Sequence, residues 1–289
     1  MLQLADKLVT NFDVAAIAER TAKLGQERAD RYRDQASKLS DESARGSLAE
    51  QRAGAVLNQS VLSGQSWWAL HMKARAESGV ENRNRIYLEG MRLYPNNAKL
   101  AGNYANFLAD ELKDYDAAHA MYKKSLELDT TSATTVGNYA MFLKSELKDY
   151  DAAEAEYKRT LELDPTKAIY IGSYANFLTD QRNDHDAAEA MYKKAIELDP
   201  ENAVITCNYA NFLADQRDDW DNADALYKRA IELEPTNETH LGSYACFLEE
   251  QRKDYDAAEV VYKKAIELNP FNKWINNNYE DFKNKYRNN

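Results

Sequence analysis

The chain has 289 residues, 29% charged and 44% hydrophobic, with only 10 Gly and 5 Pro, which is the composition of a mainly helical protein with few irregular loops. Its net charge of -11 is uneven, with 14 Lys+Arg against 12 Asp+Glu in residues 1–94 and 23 against 36 in residues 95–289, so most of the chain repels a nucleic acid. No apolar run is long enough for a helix to span a bilayer, the opening residues lack the pattern of a signal peptide, and two cysteines, Cys207 and Cys246, are too few for a disulfide framework; no membrane partner and a reducing, cytoplasmic setting are expected.

Residues 1–62 do not repeat and are rich in Ala, with an amphipathic set in Leu4, Leu8, Phe12, Ile17 and Leu24. Ser47 and Glu50 have the spacing of a capping box opening a helix through Val61, while Gly46, Gly54 and Gly64 loosen the segment. It is either a cap folded on the rest of the chain or a helical arm joining a partner or a second copy, and the polarity of residues 25–45 favours the arm. Residues 63–94 read as a degenerate copy of a unit that recurs from residue 95 onward. Tyr87, Gly90, Met91, Leu93, Pro95 and Asn97 keep the register of Tyr192, Ala195, Ile196, Leu198, Pro200 and Asn202. Its first helix is predicted over 66–76, where Trp67 and Trp68 either cap the core or stand exposed as partner anchors.

From residue 95 to 269 five units succeed one another without a slip. Tyr104, Tyr139, Tyr174, Tyr209, Tyr244 and Tyr279 recur every 35 residues, each followed by a Phe three residues on. A second set, led by Ala118, Tyr122 and Leu126, keeps the same step and places its members on one helical face. Each unit is therefore predicted as two helices, the first typified by 203–216 and the second opening at a capping box such as Asp151 to Glu154, Asp186 to Glu189 or Asp256 to Glu259. Pro165, Pro200, Pro235 and Pro270 end each second helix and are placed to open the next first helix. Small residues, Ala105 and Ala118 with their equivalents, let the paired backbones approach. Residues 270–289 hold one more first helix, polar enough to close the array as a cap.

Residues 149–165 (DYDAAEAEYKRTLELDP) and 184–200 (DHDAAEAMYKKAIELDP) resemble the second helix of the tetratricopeptide repeat (TPR) consensus. That resemblance implies an all-α, right-handed superhelical solenoid of antiparallel helix pairs, whose first helices line a concave groove. The chain departs from the family in having 35 residues per unit where about 34 is usual, and in carrying Ala after the first-helix Tyr where Gly is common. The period matches pentatricopeptide repeats as well, but the Asp-Tyr-Asp, Ala, Tyr and Pro pattern and the acidity favour the tetratricopeptide kind.

No phosphate loop, nucleophile elbow or Cys-x-x-Cys pair occurs, and His71, His119, His185 and His240 lack ligand spacing, so neither catalysis nor a metal nor a cofactor is expected. The acids from Asp215 to Asp224 lack the Gly and terminal Glu of an EF-hand. Asparagines are the informative polar residues, because Asn is a poor former of helix interiors. Asn103, Asn138 and Asn208 precede the repeated Tyr, and Asn106, Asn176 and Asn211 follow the small Ala. By the resemblance they face the groove, either as a ladder for a peptide backbone or as bonds between neighbouring helices. Gly102, Gly137, Gly172 and Gly242 would leave its floor open, and Asp110, Asp180, Asp215 and Glu250 would charge its edge. Lys99 is the lone candidate for the basic set that grips a C-terminal carboxylate, so a neutral to basic segment is the favoured ligand. The expected function is a non-enzymatic adaptor for a protein or peptide; the alternative is a structural subunit that forms homo- or hetero-oligomers through residues 1–62.

Overall fold

The computed structural model describes residues 66–287 and falls into two compact units, one within residues 1–130 and one within residues 131–289. The segment 1–62, with its Ser47 box, lies outside the described residues. The first unit holds α1 (Trp67–Ala76), α2 (Val80–Leu93), α3 (Ala98–Phe107) and α4 (Tyr115–Leu128). The second holds α5 (Ala133–Phe142), α6 (Tyr150–Leu163), α7 (Ala168–Phe177), α8 (His185–Leu198), α9 (Ala203–Gln216), α10 (Trp220–Leu233), α11 (Glu238–Phe247), α12 (Tyr255–Leu268) and α13 (Lys273–Tyr286). Helices pair in antiparallel hairpins, α1 with α2 through α11 with α12, and no strand occurs among the described residues.

The helix starts correct the sequence expectation. Asp149, Asp184 and Asp254, not Asp151, Asp186 and Asp256, are the caps, each accepting from the backbone N–H three residues on at 3.1 Å. The second aspartate of each Asp-x-Asp pair already lies inside the helix, where it turns to the next repeat. Arg182 donates to Asp151 at 2.6 Å and Glu154 at 2.7 Å, Arg217 to Asp186 and Glu189 at 2.5 and 2.8 Å, and Arg287 to Asp256 and Glu259 at 2.5 and 2.8 Å. Each of these guanidinium groups also lies over the Phe ring of its own repeat, at 5.3 to 5.7 Å. Exposed ion pairs contribute little stability, but a forked cation held on two carboxylates and a ring fixes the register between repeats. The prolines do not open helices either: Pro165, Pro200 and Pro270 sit in the turn, and Asn202, Asn237 and Asn272 cap α9, α11 and α13.

The thirty-fifth residue is absorbed where the first helix ends. In four repeats that end is a wide π turn, Leu108–Leu112, Leu143–Leu147, Leu178–Arg182 and Leu248–Arg252, closed by a residue in the left-handed region. Lys113, Lys148, Asn183, Asp218 and Lys253 hold φ of 52 to 57°, and none is Gly. An L side chain there costs roughly 1–2 kcal/mol, part of which Gly would lose again through its freer unfolded chain. Lys148→Gly and Lys253→Gly are each expected to stabilise the second unit by about 0.5 kcal/mol. A rise in the urea midpoint with unchanged slope is the readout; a fall would show that the lysine contributes contacts of its own.

The core lies between consecutive hairpins. Tyr157 of α6 packs against Tyr174 and Phe177 of α7, both at 5.5 Å between ring centres, and Tyr192 of α8 meets Tyr209 and Phe212 of α9 at 5.3 Å. Ala140, Ala153, Ala175, Ala188, Ala210 and Ala223 are fully buried, so the backbones of each hairpin come close. Gly137, Gly172 and Gly242 do not leave an open floor as expected. A Cβ built on Gly137 would lie 2.5 Å from the Tyr170 ring, and one on Gly242 would lie 2.6 Å from Trp274 and 3.0 Å from Ile275. These positions instead receive side chains of the next first helix.

His240 occupies the core slot that Ile205 and Ile275 fill in neighbouring repeats, and only 5% of its surface is exposed. Burial lowers its pKa below the usual 6.5, outweighing the Glu234 carboxylate 3.2 Å from Nε2 and the nearby Glu238. The unfolded chain thus takes up the proton first, so the stability due to neutral His240 is complete above about pH 6.5 and is lost as pH falls toward the lower folded value. Urea titrations at pH 7.5 and 5.5 are expected to show a drop in wild type that shrinks in His240→Leu. An equal drop in both would place the titration elsewhere.

Candidate protein-binding face

Each first helix of the second unit presents four positions spaced i, i+4, i+7 and i+11, which fall on one face of the helix and its terminal turn. In α7 they are Ile169, Ser173, Asn176 and Asp180, and in α9 Val204, Asn208, Asn211 and Asp215. In these two helices the face grades from apolar through amide and hydroxyl to acid. Ile169 and Val204, at its apolar end, are each 42% exposed.

The asparagines divide into two kinds. Asn176 Oδ1 accepts the hydroxyl of Tyr192, and Asn211 Oδ1 accepts that of Tyr227 at 2.6 Å; in the first unit Asn106 is held in the same way by Tyr122. These tyrosines sit on the second helix of the same hairpin with their rings in the core, so the amide carbonyl is tied inward. The Nδ2 group, an obligate donor, has no acceptor among the described residues. Cys246 stands in the same place on α11 and takes the Tyr262 hydroxyl at 3.3 Å. Asn138 behaves differently: it accepts from Tyr170 on the neighbouring first helix at 2.9 Å, a bond between helices. Asn103 and Asn208 make no side-chain hydrogen bond with the described residues, although both are partly shielded.

Asn176, Asn208, Asn211, Asp180 and Asp215 come together with Lys144, Thr179 and Gln216 around one cavity of about 300 Å³. Asn103, Asn106 and Asp110 belong to the first unit, as do Trp67 and Trp68, which meet edge to face at 5.6 Å with Trp68 half exposed. Lys144 donates to Asp180 at 3.1 Å. Asp215 has no cation partner among the described residues; its surroundings and the Glu250 carboxylate hold its pKa above the ordinary carboxylate value. Three of the neighbouring acids are occupied by structure: Asp219 caps α10, Asp221 pairs with Arg252 at 2.9 Å, and Asp224 takes Lys228 and the Tyr244 hydroxyl. Both cysteines are free, and burial pushes the Cys207 thiol up to about 12, away from reactivity.

Sequence reasoning missed the tyrosine ties and the role of Lys144. A signal for the first exists, since Tyr192 and Tyr227 come after Asn176 and Asn211 by the same 16 residues. None exists for the second, which occurs in one repeat alone.

The tetratricopeptide repeat family model matches residues 98–131, 135–167, 175–202 and 244–272. Residues 203–243 lie between matches, yet α9, α10 and the start of α11 pair as their neighbours do. No curated protein matches the chain in sequence. Among solved structures, the fold is similar to that of pilF from Pseudomonas aeruginosa, at 18% identity and TM-score 0.59 over 74% of this chain and 95% of that one. It is also similar to yeast Tom70, at 18% identity and TM-score 0.59, where 95% of this chain spans 58% of the other. A thermophilic TPR protein of Thermus thermophilus aligns at 18% identity and TM-score 0.56 over 64% of this chain and 98% of its own. At such identities these likenesses concern fold alone. With four units matched by the family model and the hairpins stacked as in solved relatives, the chain is a tetratricopeptide repeat protein.

Proposed function

We propose that this protein is a non-enzymatic adaptor that binds a protein or peptide segment along its first helices, with a neutral to basic segment preferred. The observation that supports this is the orientation of Asn106, Asn176 and Asn211, each tied at Oδ1 to a core tyrosine. A freely rotating amide could offer either end to a ligand; a tied one offers only N–H, and costs less entropy to use. Donors at the same position of the successive first helices α7 and α9 suit the carbonyl groups of an extended chain, a recognition mode with little dependence on side chains. In the second unit Asn208 adds an amide with no side-chain partner among the described residues, and Asp180 and Asp215 set an acidic edge; in the first unit Asn103 and Asp110 hold the matching positions, and Trp67 and Trp68 offer an apolar anchor.

Twelve-residue peptides selected by phage display on the full chain supply the test. Two lost hydrogen bonds of about 0.5–1.5 kcal/mol each predict that Asn176→Ala with Asn211→Ala weakens the selected peptides by roughly tenfold. Substituting Glu197 and Glu267, exposed on second helices, should leave them unchanged. Peptides indifferent to the asparagines but sensitive to the glutamates would reject the groove.

A further inference from the structure

The acidic edge of the same face carries a chemical preference. Lys144, at the end of one first helix, reaches Asp180 at the end of the next, 36 residues on, and its ammonium sits 3.1 Å from the carboxylate. The same step brings the Lys285 charge to bear on Glu249. Between them the step fails: 36 residues before Asp215 stands Thr179, and 36 before Glu250 stands Ala214, neither of which carries a charge. Asp215 and Glu250 are thus neighbouring carboxylates, close enough to repel each other, in the position where the previous repeat shows that a lysine fits. Neither has a cation partner among the described residues, whereas Asp151, Glu154, Asp186 and Glu189 are all taken by arginines. Asp215 lines the 300 Å³ cavity, whose other charged groups, Lys144 and Asp180, cancel.

On the opposite edge, beyond the two rows of amide and hydroxyl side chains, lie the exposed side chains of Ile169 and Val204. An extended segment laid on the asparagines sends alternate side chains to opposite sides of its backbone. We propose that Asp215 and Glu250 form a seat for a lysine or arginine side chain of the bound segment, and that apolar residues alternating with it cover Ile169 and Val204. The partner is then a segment of alternating basic and apolar residues. This rests on the groove binding proposed above and narrows it.

Fluorescence anisotropy of the full chain with three labelled twelve-residue probes tests the seat: alternating Arg and Leu, alternating Gln and Leu, and alternating Arg and Ser. The Arg–Leu probe is expected to bind at least about tenfold tighter than either other, as the loss of one charged partner or of several apolar contacts would give. Asp215→Asn with Glu250→Gln should bring it down to the level of the Gln–Leu probe while leaving that probe unchanged. Thr179→Lys, which supplies the missing internal cation, should weaken it likewise without lowering the thermal midpoint. Glu197→Gln with Glu267→Gln removes the same charge elsewhere and should have little effect; an equal loss there would overturn the seat, as would no binding of the Arg–Leu probe. If Arg–Leu and Gln–Leu bind alike and both weaken in Asn176→Ala with Asn211→Ala, the groove stands and the seat falls. If the probes bind but no groove substitution moves them, the groove itself falls.

Discussion

Phe177→Ala is expected to destabilise the second unit by about 3–5 kcal/mol, the largest effect of any single truncation considered. The ring has no exposed surface, and it meets Tyr157 at 5.5 Å and Tyr174 at 6.1 Å. The Arg182 guanidinium lies 5.3 Å above it. Truncation therefore leaves a void between α6 and α7 that neither flat tyrosine can fill by rotating, and it removes the platform on which Arg182 reaches Asp151 and Glu154. In a repeat protein, stability is nearly a sum of repeat and nearest-neighbour terms, so the damage should concentrate at that junction. Hydrogen exchange should show protection lost first in α6, α7 and α8 and retained in α11 and α12, with Phe177→Leu falling between mutant and wild type. A global loss below about 1 kcal/mol would mean that the junction repacks, and uniform loss across the unit would mean that the repeats unfold as one body.

Much of this architecture was legible because the repeat carries it in large residues. Tyr174, Phe177, Tyr192 and their equivalents recur without a slip, and a core of aromatic rings tolerates no slip. Helix starts were harder. Asp149 and Asp151 are both aspartates two residues apart at the mouth of one helix, and hydrophobic period cannot say which lies outside it. What separates them is Arg182, 31 residues on, a long-range partner that claims Asp151 and leaves Asp149 to cap. Glycine misled for a related reason: Gly137 suggested space, but its neighbour across the repeat, Tyr170, is the largest side chain at a slot that elsewhere holds Leu100, Thr135, Ile205, His240 or Ile275. At the candidate site the recurrence of Asn was visible, and its direction was not. Whether an amide faces solvent with its oxygen or its nitrogen depends on a hydroxyl 16 residues away, on a helix that local pattern treats as independent.

Gly137→Ala should destabilise the second unit although Ala is the better helix former by about 1 kcal/mol. The new methyl carbon would fall 2.5 Å from Cδ1, 2.6 Å from Cε1 and 2.7 Å from Cγ of Tyr170. The contact lies near the root of the ring, so rotating its far end cannot relieve it, and Tyr170 is anchored by hydrogen bonds to Asn138 at 2.9 Å and to the Thr134 carbonyl at 3.1 Å. Either α5 and α7 move apart or the tyrosine leaves its slot and exposes both acceptors. Overpacking of this kind costs about 1–3 kcal/mol, so a net loss of up to about 2 kcal/mol is expected after the propensity gain. Gly172→Ala provides the contrast. There the nearest atom is Cγ1 of Ile205 at 3.2 Å, which has room to yield, and the helix preference should leave stability unchanged or slightly raised. Converting the clash to that gentler geometry with Gly137→Ala and Tyr170→Ile together should recover most of the loss, a coupling that a double-mutant cycle measures directly. If the double variant is no better than the single one, the cost at residue 137 comes from its own helix and not from the approach of the next.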